Sequence, residues 1–143
     1  MSHPAIDTRR IVSPPRCGAR RFAADAALAA DARRWVAGLL EAHGCRDDAV
    51  LVVGELFANA VQHGSAGGAT VVVSVRRLPG DRAYVAVTDC GGTGRPVPRA
   101  AGTDAVAGRG LAIVAGLAER WGARRSGPGW RVFALLAPDD PAR

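Results

Sequence analysis

Glu55-Leu56-Phe57-Ala58-Asn59-Ala60-Val61-Gln62-His63-Gly64 is the stretch whose reading decides the fold. Glu55, Asn59 and His63 recur every four residues, so on an α-helix they drift only about 40° per step and line one face. Val50, Val53, Phe57, Ala60 and Val61 fill the opposite stripe, the core side of a helix predicted from Asp47 to about His63. Asn59 is the only asparagine in the chain and Gln62 the only glutamine. Asn suits a helix interior poorly, because its side chain competes for backbone hydrogen bonds. Two readings of Asn59 stand: a solvent-facing surface residue, or a metal or ligand contact with a carboxylate one turn before it. Departures from local preference gather at functional sites, although not only there.

Outward from this helix, the pattern predicts one domain. At 143 residues the chain can bury about two-thirds of its unfolded surface without staples. No run of apolar residues is long enough to span a bilayer and no signal-peptide pattern is present, which predicts a soluble, cytoplasmic protein with no membrane contact. Cys17, Cys45 and Cys90 form no CxxC pair and are odd in number. That disfavours a disulfide framework or a zinc site. The net charge of +6 comes entirely from arginine, since the chain has no lysine. The arginines are scattered as short pairs and aromatics are not interleaved with them, which disfavours direct nucleic-acid binding. A basic surface remains compatible with an anionic ligand or an acidic protein.

Upstream, residues 1–20 are rich in Pro and Arg and read as an extended or partly disordered arm with one short strand near Arg10–Val12, and residues 21–24 read as another short strand. Leu28, Ala32, Trp35, Val36, Leu39 and Leu40 predict a helix over 26–43 with Gly44 as its stop. Downstream, Ala69–Leu78 and Arg82–Thr88 are β-branched, alternating runs around Pro79-Gly80-Asp81, a hairpin signature. The span 89–107 has no period of its own. Helical spacing returns over Gly110–Arg120, and Ala123–Arg125 with Trp130–Ala137 predict a closing hairpin, followed by a polar tail over 138–143.

Two glycine-rich segments complete the pattern. Asp89-Cys90-Gly91-Gly92-Thr93-Gly94 follows a strand. It is either a plain turn, or a place where Asp89 accepts a hydrogen bond from a ligand amine while glycines admit the ligand to the backbone. Gly108-Arg109-Gly110-Leu111-Ala112-Ile113-Val114 opens a helix, where free N–H groups and the helix dipole favour an anion. It lacks the GK[ST] ending of a Walker A loop and the βαβ setting of a Rossmann fingerprint.

In order and spacing, the three segments resemble those of the GHKL (Bergerat-fold) ATPase and kinase superfamily, and most of all its small anti-sigma-factor serine/threonine kinases. Glu55 to Gly64 is similar to the N box, Asp89-x-Gly91 to the start of the G1 box, and Gly108 to Val114 to the G2 box; the resemblance covers roughly residues 21–137. The resemblance implies a two-layer α/β sandwich, with helices on one face of a mixed, mostly antiparallel sheet. It also implies ATP and Mg²⁺ as cofactors. Asn59 would ligate Mg²⁺, Glu55 would be the general base, and Asp89 would bind the adenine amine beside Gly91. Gly108 and Gly110, with Leu111 in the same box, would cradle phosphate, and Arg95 or Arg109 would neutralise phosphate charge. His63 would touch phosphate or cap its helix, and Gly92–Ala107 would form the ATP lid. The implied partners are a small antagonist protein that is phosphorylated and a sigma factor that is sequestered, and kinases of this kind often form homodimers. The alternative is a nucleotide-responsive protein-binding module with little or no turnover. Two features depart from the family pattern: Thr93 replaces the second glycine of DxGxG, with Gly92 and Gly94 on either side, and Gly129-Trp130-Arg131-Val132 lacks the Thr that many relatives place near the adenine-binding Asp.

Overall fold

The computed structural model describes residues 17–64, 69–89 and 107–139, with 63–64 and 107–109 described by their backbone alone. Five strands form one sheet: β1 (Cys17–Ala23), β2 (Thr70–Leu78), β3 (Arg82–Asp89), β4 (Arg120–Ser126) and β5 (Gly129–Leu136). Their order is β1-β2-β3-β5-β4, and every pairing is antiparallel. The expected sheet was mixed and mostly antiparallel; among the described residues it has no parallel pair. Helices α1 (Ala29–Leu39), α2 (Arg46–Gly64) and α3 (Ala107–Leu117) complete the second layer. The fold is thus the two-layer α/β sandwich that the resemblance implied.

The core lies between the layers. Val71, Val73 and Val75 of β2 face the helices beside Val85 and Val87 of β3 and Val132, Ala134 and Leu136 of β5. From above, α2 contributes Ala49, Val52, Val53, Leu56, Phe57 and Ala60, all buried. Val52 and Leu56 were outside the predicted apolar stripe, while Val50 and Val61 within it are only partly buried. The arc is wider than one stripe because α2 is flanked by α1 and α3 as well as seated on the sheet.

The bounds of β1, α1 and α3 differ from the sequence reading, each for a physical reason. Strand β1 starts at Cys17, so part of the predicted arm is sheet. Its helix-facing positions are Gly18, Arg20 and Phe22, opposite Val75, Val73 and Val71, so only one of them is apolar and no alternation is visible. The missing side chain at Gly18 admits Leu39 and Trp35, since a Cβ there would lie 2.9 Å from Leu39 Cδ1. The predicted helix over 26–43 begins as a 3₁₀ turn, Ala26–Leu28, capped by Asp25 Oδ1 accepting from Ala27 N at 2.9 Å. It ends at Leu39, because Leu40 turns into the core and Ala42 takes a left-handed φ of 59°. Gly44 is therefore not the helix stop; its N–H donates to Asp81 Oδ2 at 3.1 Å, and a Cβ would lie 2.1 Å from that oxygen. Helix α3 begins at Ala107 rather than Gly110, since Gly108-Arg109-Gly110 carries no apolar signal to mark a helix start.

Asp81 closes the β2–β3 turn and joins it to the start of α2. Its backbone oxygen accepts from Cys45 Sγ at 3.2 Å, and its carboxylate lies 3.4 Å from His43 Nε2. Burial raises the Cys45 thiol pKa, with the Asp81 charge adding to the effect, so Cys45 behaves as a small apolar residue with a weak donor. This junction sets the registry of α2 on the sheet, because α2 and β3 leave the same corner and run the same way.

Candidate functional site

That common origin puts the N-box residues level with the end of β3. Strand β3 spans about 23 Å from Arg82 to Asp89 at 3.3 Å per residue. A helix covers this length in about fifteen residues at 1.5 Å each. Counting from Arg46, that reaches the turn of α2 holding Asn59. Helix α3 runs the opposite way: Glu119, just past its end, bonds Arg82 at the start of β3 at 2.5 Å. Its N-terminus therefore lies toward the Asn59–Asp89 end of the molecule, where unsatisfied N–H groups and the positive end of the dipole favour an anion.

Glu55 and Gly110 meet across the α2–α3 seam. A Cβ built at Gly110 would lie 2.7 Å from Glu55 Oε2. The glycine thus does more than open a helix: it leaves room for the carboxylate against the first turn of α3. Glu55 and Asn59 are both half-buried and one helical turn apart. The two boxes are brought together by side-chain geometry as well as by chain order. Gly110→Ala should separate structure from chemistry. Alanine favours the helix by about 1 kcal/mol over glycine, and the atom in its way is the far end of a flexible side chain. The unfolding midpoint should hold or rise slightly. Displacing Glu55 should lower turnover about 10²-fold, as read by phosphotransfer or hydrolysis from labelled ATP. Undiminished turnover would show that the position of Glu55 is immaterial.

Asp89 is the only buried polar or charged residue among those described, at 8% exposure. Its position at the end of β3, opposite Val71 of β2, fixes the carboxylate. Its Oδ1 accepts from the backbone N–H of Trp130 at 3.3 Å. Thus a main-chain donor of β5 stands in the region where the family Thr is missing. Gly129 makes this approach geometrically feasible: a Cβ there would lie 2.1 Å from Asp89 O and 2.5 Å from Oδ1. One residue on, Arg131 Nε donates to Thr88 Oγ1 at 3.2 Å, tying the two strand ends together. Sequence reading gave Gly129 no site role of its own; the available signal was its place at the head of the segment Gly129-Trp130-Arg131-Val132, where the family Thr is missing.

The remaining expected site residues divide into two groups. Gly91, Gly94, Arg95, Cys90 and the expected lid up to residue 106 lie outside the described residues, as does most of the arm; Ala107, the last expected lid residue, opens α3, and His63, Gly108 and Arg109 are described by backbone alone. His63 closes the last turn of α2, and Gly108, Arg109 and Gly110 belong to the first turn of α3 rather than preceding it. The Leu111 side chain is buried in the core beside α2, so only its main chain is available to a ligand.

Residues 22–134 match the family model of the histidine kinase-like ATPase domain, and the chain belongs to that family, within the GHKL superfamily. An ATPase domain implies nucleotide binding. Among solved structures, the chain is similar to the RsbU and RsbW domains of Rv1364c from Mycobacterium tuberculosis. The two share 23% identity and a TM-score of 0.50, over 88% of this chain and 34% of that one. It is also similar to the histidine kinase domain of a blue-light activated histidine kinase from Erythrobacter litoralis EL346. There the identity is 27% and the TM-score 0.47, over 66% of this chain and 45% of that one. The chain therefore spans less than half the length of either. No curated protein matches it.

Proposed function

We propose that the chain binds Mg-ATP between α2, the end of β3 and the start of α3, sequesters a sigma factor, and phosphorylates a small protein that antagonises this sequestration. The observation that carries the catalytic half is the Glu55 carboxylate seated against Gly110 at the head of α3. A base in that position can take the proton of an attacking serine or threonine hydroxyl as phosphate is transferred. Asp89, held by the Trp130 N–H, would accept from the adenine amine. The first turn of α3 presents N–H donors to phosphate. The sigma-factor half rests on the resemblance of motif order to the small anti-sigma-factor kinases.

The donor set suits Mg²⁺. Among the described residues no three His, Cys, Asp or Glu side chains cluster to hold a metal by themselves. Asn59 offers one hard carbonyl oxygen at the level of the phosphate-facing helix end. A cation that keeps most of its waters and shares phosphate oxygens needs little more from the protein. When bound, Mg²⁺ would draw charge off the transferred phosphoryl group. Asn59 would hold the ion, and Glu55 would take the proton.

Calorimetric titration with ATP, with and without Mg²⁺, tests the site. The protein should bind saturably with Mg²⁺, and Asn59→Ala should lose about tenfold in affinity, or about 1.4 kcal/mol, only when Mg²⁺ is present. No saturable binding at millimolar ATP would overturn the reading. Binding without phosphotransfer to serine-bearing antagonist proteins would reduce it to a nucleotide-responsive binding module.

A further inference from the structure

No described helix packs on the opposite face of the sheet, and its composition is one-sided. Side chains alternate along each strand, so the register assigns Arg21, Arg76, Arg120, Arg124 and Arg131 to this face. None of the strand positions on it is Asp or Glu. Arg82, at one end of the same face, is engaged by Glu119. The centre is apolar: Tyr84 and Phe133 stack with centroids 6.0 Å apart, and Ala86 is buried yet outside the core beneath the helices.

We propose that this face docks an acidic protein, one presenting a flat surface rich in Asp and Glu. Two of its guanidinium groups are already held in place. Arg131 is tied to Thr88 through Nε, and Arg124 lies 5.5 Å from the Phe133 ring centroid. Together with Tyr84 and Phe133 they line a depression of about 160 Å³, suited to a single acidic side chain. Planar guanidinium forks pair with carboxylates bidentately, and arginines already positioned lose less freedom on binding. The aromatic centre supplies desolvated area within a charged surround, as protein interfaces require.

The same details disfavour other occupants. A second copy would set five arginines against five, a like-charge juxtaposition that suppresses pairing. A single-stranded nucleic acid would need an open ring face for base stacking. Phe133 is covered by Arg124, and it rests against Gly122, where a Cβ would lie 3.1 Å from the ring. The surface lies on the side of the sheet away from α2, which carries Glu55 and Asn59, so it stands independently of the nucleotide reading.

Fluorescence anisotropy of labelled poly-L-glutamate, titrated with the full chain, tests the proposal. Arg76→Glu with Arg124→Glu should weaken binding about tenfold or more, the equivalent of losing one or two charge-assisted contacts. The charge-matched pair Arg33→Glu with Arg34→Glu, on α1, should cost less than about threefold in the same assay. Arg76→Gln with Arg124→Gln gives a milder second pair, and circular dichroism checks the fold of each. Equal losses from both sites would reduce the effect to net charge and overturn the proposal. So would tighter binding of a charge-matched oligothymidylate, or a dimer in sedimentation that the face variants dissolve.

Discussion

Glu55→Ala is expected to leave Mg-ATP affinity within about threefold of the parent and to lower phosphotransfer by about 10²- to 10⁴-fold, the usual range for removing a general base. The expectation follows from what Glu55 touches. Its carboxylate meets the first turn of α3 at Gly110 and sits one helical turn before Asn59. Binding contacts assigned to Asn59, Asp89 and the α3 N-terminus are left in place. Glu55→Gln refines the test, because the amide keeps the volume at the α2–α3 seam but cannot accept the proton. If Gln restores packing and not turnover, the proton role stands. Phosphotransfer unchanged in both variants would remove Glu55 from the chemistry and leave it as a filler between two helices. The single-turnover rate is the decisive readout, since a base acts on the chemical step rather than on substrate capture.

This outcome bears on how much of the site could be read before the fold was known. Glu55, Asn59 and Asp89 were legible because each breaks a local rule: polar residues on a strongly apolar helix, and an acid at the end of a valine-rich strand. Strands β2, β3 and β5 were legible for the complementary reason, alternation on a sheet with one face buried. Strand β1 was not, because two of its three helix-facing positions are Gly18 and Arg20. The start of α3 was hidden by glycines that carry no periodic signal. The arginine face could not be seen at all, since its five members come from four strands and meet only through register. Gly129 belongs to the same class. A glycine beside a turn looks interchangeable until the neighbouring strand is in place.

Gly129→Ala should therefore be the most damaging glycine substitution among those on the nucleotide side. No positive φ is involved, so the cost is purely steric. An added Cβ would lie 2.1 Å from Asp89 O and 2.8 Å from its carbonyl carbon, both backbone atoms of β3, and 2.5 Å from Oδ1. A side chain could rotate away, but this backbone cannot, because Asp89 is paired with Val71 on its other side. The start of β5 must withdraw instead, loosening the Trp130 N–H bond to Asp89 and the Arg131 bond to Thr88. Overpacking of this kind costs about 1–3 kcal/mol, which for a domain of this size lowers Tm by about 3 °C or more per kcal/mol. If Asp89 accepts from the adenine amine as proposed, ATP affinity should fall about tenfold or more with its displacement. Gly116→Ala is the matched control: it lies on the exposed side of α3 with no atom within 4 Å of the new Cβ. There alanine should be neutral or stabilising by up to about 1 kcal/mol. Thermal melts of both variants with and without Mg-ATP separate the two effects, because ligand stabilisation should persist in Gly116→Ala and shrink in Gly129→Ala. An undiminished ligand-induced shift in Gly129→Ala would mean that adenine is recognised without Asp89 in its observed place.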